Sequence, residues 1–378
     1  MKIEVFAEML RDLGIETITG IPDSTLKVFC DYMQREGKNI FPYHVVPENE
    51  GAAVGIAIGE YLATGRPACV YMQNSGLGNA VNPLTSLAHM EVYGIPMLLM
   101  VGWRGEPGQK DEPQHKYMGE ITPELLELMG IAYSVMTETT TAEELKQFLG
   151  AAGQAFEQNK QYALLIKKNT FQKSAAVFYE NQYTLDREEA IHIITEWLEP
   201  EDLVVSTTGK ISRELYEQSN LQIGSHKQAF LTVGGMGHAN MIAFQIAKRQ
   251  SNRRVICLDG DGALLMHMGG MAVIGANPAD NLIHICLNNQ AHESVGGMPT
   301  GAPDLRFHEY AEMAGYHRTA YAGSRTALEQ ELKSVREKKV CTFLEIFVSL
   351  RSRADLGRPK ETAENNKVSF MKTIGVMK

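Results

Sequence analysis

The sequence predicts an α/β protein of two domains, each built on a doubly wound parallel sheet. Short apolar runs alternate with helix-length amphipathic segments along most of the chain, and this alternation is typical of parallel sheets covered by helices on both faces. The pattern starts again after the polar stretch 172–186, and the length of 378 residues exceeds that of a typical single domain. We therefore expect a first domain at 1–180, a second domain at 181–350 and a polar surface tail at 351–378.

The first domain is predicted to begin with a helix, because apolar residues recur at helical spacing from Ile3 to Leu13. Apolar runs with the length of buried strands follow at 17–21, 68–72, 96–102 and 163–167, and helical patterns lie between them at 51–64, 78–93 and 142–159. The connection 103–118 is rich in glycine, proline and charge. It is long for a loop, so we interpret it as a candidate lid.

The second domain repeats the alternation. Strands are predicted at 203–206, 255–259, 282–287 and 341–348, and helices at 187–198, 211–219, 237–250, 264–275 and 325–338. The chain becomes polar after Leu350, which is the reason for placing a surface tail there.

Composition excludes several classes of function. The net charge of −9 argues against binding to nucleic acid or to an anionic membrane surface. No apolar run approaches the ~18 residues that span a bilayer. The five cysteines are widely separated and three lie in strand-like runs, so we expect free, buried thiols and a reducing, cytoplasmic location.

Two strand ends carry oxygen-rich side chains. Gly260-Asp261-Gly262 ends one apolar run and Asn288-Asn289 ends the next. Carboxyl ends of parallel strands meet at one edge of a sheet, and carboxylates together with phosphate oxygens are typical ligands of Mg²⁺. A simple glycine turn is the alternative interpretation. The spacing does not fit an EF-hand, because Ala263 and Gly270 stand where an EF-hand needs acidic or amide ligands. The glycines do not have the spacing of a dinucleotide-binding fingerprint either.

Glu50 precedes a helix of small residues that includes Ala52, Ala53 and Gly55. An acidic residue here could simply complement the helix dipole. The small residues, however, let another backbone approach closely, so Glu50 could lie in a dry crevice. Burial there would raise its pKa and suit it to proton exchange with a weakly basic ring nitrogen.

The stretch from Glu50 to Pro67 resembles the pyrimidine-binding domain of thiamine diphosphate (ThDP)-dependent 2-keto-acid decarboxylases, in which a Glu before Gly-Ala-Ala meets N1′ of the aminopyrimidine. The second half resembles the diphosphate-binding domain of that family. Asp261 and Asn289, with the backbone of Ala291, match its Mg²⁺ ligands. Met236, within 234–237, matches the apolar residue that holds the cofactor bent. Further groups implied to bind the cofactor are Thr208, Gly209, Gly260, Gly262, Ser294 and Val295.

The resemblance implies the ThDP-binding fold in its short, two-domain form, because the middle domain of larger family members is missing. The segment 288–297, with Ala-His-Glu-Ser at its centre, is specific to the short form. The implied substrate is a small anionic 2-keto acid with an acidic group on C3, either a phosphonate or a sulfonate. A homodimer or larger homo-oligomer with active sites at the subunit interface is also implied.

The resemblance further implies roles for several charged side chains. Glu50 would transfer a proton to the cofactor, and His115 and His292 are candidate proton donors. The cations that would bind the substrate are Arg104, Lys110 and Arg213. The alternatives are a different ThDP-dependent lyase or carboligase and, more remotely, a ThDP-binding protein without catalytic activity.

Overall fold

The structure, a computed structural model, describes residues 1–377 and, at Ser294, the backbone alone. The chain divides into two compact units, Met1–Phe178 and Tyr179–Lys378. The second unit follows the first directly, so no middle domain lies between them. Each unit contains one six-stranded parallel sheet covered by helices, which is the predicted fold class.

The first unit is built on a sheet with the strand order β2-β1-β3-β4-β6-β5, in which all neighbours are parallel. The strands are β1 (Thr17–Gly20), β2 (Tyr43–Val45), β3 (Ala68–Gln73), β4 (Met97–Gly102), β5 (Ala132–Met136) and β6 (Tyr162–Ile166). The two central strands β3 and β4 are apolar along almost their whole length because helices cover both of their faces.

Seven α-helices surround this sheet: α1 (Ile3–Asp12), α2 (Lys27–Tyr32), α3 (Lys38–Ile40), α4 (Glu50–Thr64), α5 (Leu77–Pro83), α6 (Pro113–Leu128) and α7 (Ala142–Glu157). Helix α4 packs its small residues against β3 and α5. It ends at Gly65, whose left-handed conformation (φ +72°) lets its N–H bond the carbonyl of Tyr61 at 2.7 Å.

The second unit has the strand order β13-β14-β10-β9-β7-β8, again entirely parallel. Its sheet contains β7 (Leu203–Ser206), β8 (Ala229–Leu231), β9 (Val255–Gly260), β10 (Leu282–Asn288), β13 (Arg318–Ala322) and β14 (Thr342–Phe347). A small antiparallel pair, β11 (Ala291–His292) and β12 (Met298–Pro299), follows β10.

The described part of the second unit contains eight α-helices: α8 (Arg187–Trp197), α9 (Lys210–Gln222), α10 (Ala239–Arg249), α11 (Asp261–Met266), α12 (Gly269–Ala276), α13 (Phe307–Ala314), α14 (Arg325–Glu337) and α15 (Ala363–Thr373). They bury two apolar clusters, one on each face of the sheet. Among the described residues, no helix is both long enough and apolar enough to cross a membrane.

The segment after residue 350 differs from the prediction of a polar surface tail. It contains α15, which packs along β8. Phe370 is buried against Phe230, with the ring centroids 5.8 Å apart. Asn366 is also buried, and its side chain bonds both the N–H of Leu231 and the carbonyl of Ala229. The polar sequence concealed this because a helix needs few inward residues to dock on a sheet edge.

Two further predictions were wrong in extent. The predicted lid 103–118 is a loop only as far as Glu112, because α6 begins at Pro113 and includes the rest. Proline suits this first helical position since its missing N–H would have no partner there. The predicted helix 78–93 is shorter, with α5 ending at Pro83 and a π-helical turn continuing to Ala88.

Candidate functional site

In the first unit, Glu50 is the first residue of α4 and is only 5% exposed. The preceding residue, Asn49, caps the helix with its Oδ1, which accepts the N–H of Ala52 at 3.0 Å. Burial raises the pKa of the Glu50 carboxyl. A hydrogen bond of 2.7 Å, donated by Asn79 Nδ2 to Glu50 Oε2, opposes this shift. The carboxyl is therefore buried, oriented and more easily protonated than a surface glutamate.

The crevice around Glu50 depends on glycine. A Cβ at Gly76 would lie 2.3 Å from Glu50 Oε1, and a Cβ at Gly51 would lie 2.9 Å from the carbonyl oxygen of Asn79. Such distances are too short for real atoms, so the two glycines allow α4 and α5 to enclose the carboxyl. The close approach is made at Gly51 and Gly76, whereas Gly55, part of the small-residue pattern of the sequence, has open space around its Cβ position.

The loop after β4 holds Arg104 in a different setting from the one predicted. Its guanidinium binds Asp111 through two hydrogen bonds, from Nε at 2.8 Å and from Nη2 at 2.5 Å, and Nη1 donates to Ser24 Oγ at 3.0 Å. Although burial acts to raise it, these bonds hold the pKa of Asp111 below its ordinary value. The charge of Arg104 is thus largely neutralised by the protein itself, whereas the neighbouring Lys110 is exposed.

His115 lies in the first turn of α6, close to this loop. Its Nδ1 is buried and has no hydrogen-bond partner among the described residues. Burial, followed by the charge of Arg104, lowers the pKa of His115. The imidazole is therefore neutral at physiological pH, and its unpartnered ring nitrogen remains available to another group.

Sequence reasoning missed Asp23, a fully buried carboxylate in the loop after β1. Burial raises the pKa of Asp23 to about 6, although the N–H groups of Thr25 and Leu26 donate to its Oδ2 and the charge of Arg104 opposes the shift. Its Oδ1 has no hydrogen-bond partner within the described chain. Pro22-Asp23-Ser24 follows an apolar run, so the strand-end argument that selected Asp261 would also have found it.

In the second unit, Asp261 and Asn289 follow the neighbouring strands β9 and β10, whose ends pair Gly260 with Leu287. Asp261 is 4% exposed, and burial raises the pKa of its carboxyl to about 7 although several backbone N–H groups oppose the shift. Its Oδ2 has no hydrogen-bond partner among the described residues. A buried carboxylate oxygen without a partner, in the same cleft as the Asn289 side chain, suits a hard divalent cation.

The cleft at this sheet edge brings together most of the residues that were predicted to bind the cofactor or metal or to transfer protons in the second unit. They are Thr208, Gly209, Met236, Gly260, Asp261, Gly262, Asn289, Ala291 and His292. Gly209 has φ +101°, a conformation that favours glycine, directly before α9. Met236 is half-buried in the same cleft.

His292 lies beneath the glycine turn. A Cβ at Gly262 would approach its Nδ1 to 3.3 Å. The residue as a whole is partly exposed, but its Nε2 is enclosed and has no hydrogen-bond partner in the described part of the chain. Burial lowers the pKa of His292 to about 4, so the ring is neutral at physiological pH.

For three residues of the second unit, the structure does not support the predicted place in this cleft or does not describe the side chain. Arg213 lies on α9 and is not among the described residues that line the cleft. Val295 belongs to a single 3₁₀ turn, Glu293–Val295, which is too short to act as a helix N-terminus for phosphate. The side chain of Ser294 lies outside the described residues.

The cleft also contains three charged residues that were not predicted, namely Arg187, Lys210 and Glu293. Lys210 directly follows Thr208-Gly209, so the position of its neighbours could have indicated it. Arg187 had no local signal, because its partners Glu214 and Glu293 are distant from it in sequence.

Comparison with known proteins agrees with this arrangement. A family model for the N-terminal TPP (thiamine pyrophosphate, that is, ThDP) binding domain of thiamine pyrophosphate enzymes matches residues 3–126. The model for the C-terminal TPP binding domain of the same enzymes matches residues 208–346. The two matches fall in the two structural units.

Curated relatives match nearly the whole chain. Phosphonopyruvate decarboxylase from Streptomyces viridochromogenes is 33% identical over 93% of this chain and 90% of the relative. The protein of the same name from Streptomyces hygroscopicus is 32% identical over 93% of this chain and 88% of the relative. Sulfopyruvate decarboxylase from Methanosarcina acetivorans is 27% identical over 99% of this chain and 98% of the relative. The chain therefore belongs to the thiamine pyrophosphate enzymes, in the group that contains the phosphonopyruvate decarboxylases.

Proposed function

We propose that this protein is a ThDP-dependent decarboxylase that converts 3-phosphonopyruvate to 2-phosphonoacetaldehyde and CO₂ in phosphonate biosynthesis. The observation that carries the proposal is the enclosed carboxyl of Glu50 in the N-terminal TPP binding domain, with its raised pKa. A protein that only bound the cofactor would not need a buried ionisable group there. Two relatives named phosphonopyruvate decarboxylase, each matched over most of its length, support the choice of substrate.

The residues of the second unit fit the cofactor and its metal. Asp261, Asn289 and the carbonyl of Ala291 would hold Mg²⁺, because the unpartnered Asp261 oxygen suits a cation. Thr208, Gly209, Gly260 and Gly262 would contact the diphosphate, and Met236 would support the bent cofactor. Bound ThDP supplies the electron sink for the carbanion that is left when CO₂ departs.

The protein's own groups would orient the reactants, exclude water and move protons. Glu50 would hold a proton at N1′ of the aminopyrimidine, because burial keeps its carboxyl protonated to a higher pH than usual. His115 and His292 remain candidates for protonating the product, and Asp23, with a pKa of about 6, joins them. At neutral pH each imidazole would donate from its neutral form.

The substrate would be drawn by cations, since it carries a carboxylate and a phosphonate. Arg104 and Lys110 lie in the loop after β4, and Arg213 lies on α9. Arg104 would have to share its guanidinium with Asp111. The exposed Lys110 is free to move, so we favour it as the first contact with the anionic group.

The proposal includes a homodimer or larger homo-oligomer in the cytoplasm, with active sites at the subunit interface. In that arrangement Glu50 from one subunit would serve the cofactor held by Asp261 and Asn289 of another. Mixing E50Q and D261N chains tests it. Random dimers would recover about a quarter of wild-type activity, because half of them pair the two variants and each such pair has one intact site of two. No recovery would place both groups of a site on the same chain.

Sulfopyruvate decarboxylation is the second candidate, because a relative of that name matches 99% of the chain. The test is CO₂ release from phosphonopyruvate, sulfopyruvate and pyruvate, each with and without added ThDP and Mg²⁺. Cofactor-dependent turnover that is fastest on phosphonopyruvate supports the proposal. Preference for sulfopyruvate would keep the mechanism and change the substrate, whereas ThDP binding without any turnover would favour a non-catalytic role.

A further inference from the structure

Asn289 is held on three sides by other residues of the second unit. Its Nδ2 donates to Glu293 Oε2 at 3.0 Å, and its main-chain carbonyl accepts from Asn181 Nδ2 at 3.0 Å. Its Oδ1 accepts the N–H of Ala291 at 3.1 Å. An amide oxygen has two lone pairs, so one remains for a further partner. The side chain is therefore fixed, with spare acceptor capacity on Oδ1 alone.

Glu293, together with the N–H of Ala291, fixes which way the Asn289 amide faces. A carboxylate only accepts hydrogen bonds, whereas an amide has a donating and an accepting end. The NH₂ end must therefore face Glu293, and the oxygen must face away from it. If Glu293 lost its acceptor atoms, the amide could turn and present NH₂ groups, which repel a cation, in place of the oxygen.

Two cations hold Glu293 itself. Arg187 Nη1 binds Glu293 Oε2, and Lys210 Nζ donates to Glu293 Oε1 at 2.7 Å. Arg187 is 4% exposed and its remaining donors bind Glu214 at 2.7 Å and 2.6 Å. Both oxygens of Glu293 are thus occupied, and this carboxylate is kept from acting as a competing metal ligand.

We propose that Glu293, held by Arg187 and Lys210, is a positioning residue that turns the Asn289 oxygen toward the metal of the cofactor site. This inference rests on the proposed function, because it concerns the Mg²⁺ that ThDP needs. It gives a role to the glutamate in the Ala-His-Glu-Ser segment, which the proposed chemistry leaves unused. Replacement of a group that orients a metal ligand typically weakens metal binding by about 10–100-fold.

The test compares E293L and E293Q with wild type. Isothermal calorimetry at saturating ThDP measures the Kd for Mg²⁺, and thermal unfolding of the cofactor-free proteins reports on structure alone. E293L should weaken Mg²⁺ binding by about 10–100-fold. E293Q should weaken it less, since its amide oxygen can still accept from Asn289. If E293L fails to fold, E293Q carries the comparison.

E331L is the matched control. Glu331 is a partly buried glutamate of the same unit that lies on α14 and pairs with Arg318. Its Mg²⁺ Kd should equal that of wild type. Equal Mg²⁺ Kd values in wild type, E293L and E293Q, whatever happens to the unfolding temperature, would overturn the positioning role. Failure of wild type to bind Mg²⁺ with ThDP would instead overturn the proposed cofactor site.

Discussion

Glu50 shows how neighbouring residues bury and orient a single carboxyl and raise its pKa. The glycine at 76 leaves room for it, the amide of Asn79 orients it, and burial makes its charged form costly. Gly76 and Asn79 belong to one segment, which is distant in sequence from Glu50. The proton affinity of Glu50 is therefore a property of the packing of α4 against α5.

Replacing Glu50 by Gln should separate binding from turnover. Glutamine keeps the size and can hydrogen bond, but it cannot release a proton. We expect kcat to fall by about 10²–10⁴-fold, the usual contribution of general acid–base catalysis. The Kd for ThDP with Mg²⁺ should change little, and calorimetry together with CO₂ release measures both quantities.

The control for E50Q is E60Q, a change to a glutamate farther along the same helix. It should leave kcat at the wild-type value. Turnover by E50Q that matched wild type would sink the proposed role of Glu50.

Asp23 should make stability depend on pH in a direction opposite to that of most carboxylates. Its folded-state pKa of about 6 lies above the ordinary 3.8, so the native state binds the proton more tightly than the unfolded state. The stabilisation is complete below pH 3.8 and is lost as the pH rises through about 6. The loss is about 3 kcal/mol, from 1.36 kcal/mol for each pKa unit.

The measurement is urea unfolding of wild type and D23N between pH 4 and pH 7. D23N lacks this titration, so its stability relative to wild type should rise across that range. D12N, at an exposed position, serves as the control and should follow wild type. Parallel pH profiles for wild type and D23N would mean that the Asp23 pKa is not raised.

For single residues, the sequence predicted the positions of the candidate site residues better than their hydrogen-bond and ion-pair partners. Asp261 and Asn289 could be found because both follow apolar strands, and Glu50 because it starts a small-residue helix. The neutralisation of Arg104 by Asp111 could not be predicted, because only the loop conformation brings the two together. The same applies to Glu293, whose partners Arg187 and Lys210 lie on other elements.

At the scale of elements, the sequence did not predict the four edge strands of the two six-stranded sheets, β2, β5, β8 and β13, nor the short pair β11 and β12. Inner strands are covered on both faces and appear as continuous apolar runs, so all eight were predicted. An edge strand is short or partly exposed and has a mixed composition. Whether such a segment forms a strand depends on the neighbouring strand with which it pairs. The hydrophobic pattern of the segment itself does not reveal this pairing.

The docking of α15 can be tested through its one buried aromatic side chain. F370A removes the ring that packs on Phe230 and should destabilise the second unit by about 3–5 kcal/mol. Helix α15 should become protease-sensitive as a result. Limited proteolysis with mass spectrometry, together with urea unfolding, measures both effects.

V376A, at an exposed position beyond the helix, is the matched control and should behave as wild type. If F370A kept wild-type stability and protease resistance, the packing of α15 would contribute nothing to the second unit.

At the scale of the whole molecule, the cofactor should stabilise the protein that binds it. A ligand at 100 times its Kd stabilises the native state by about 2.7 kcal/mol. Adding ThDP and Mg²⁺ should therefore raise the unfolding temperature of wild type, and EDTA should reverse the rise. D261N should show no rise, because it removes the proposed anionic ligand of the metal.

Differential scanning calorimetry of wild type and D261N, each with and without the cofactor, measures these shifts. D304N changes an exposed aspartate of the same unit and should retain the full rise. An equal rise in D261N and wild type would show that Asp261 does not hold the metal.

The five cysteines are all buried and unpaired, with two in the first unit and three in the second. Burial raises the pKa of every one of these thiols. A thiol reagent reacts with the thiolate, so each cysteine can be labelled only after its surroundings open. Cys30 and Cys69 thus report on opening of the first unit, and Cys257, Cys286 and Cys341 report on the second. The rates at which these cysteines are labelled therefore measure the unfolding of each unit separately.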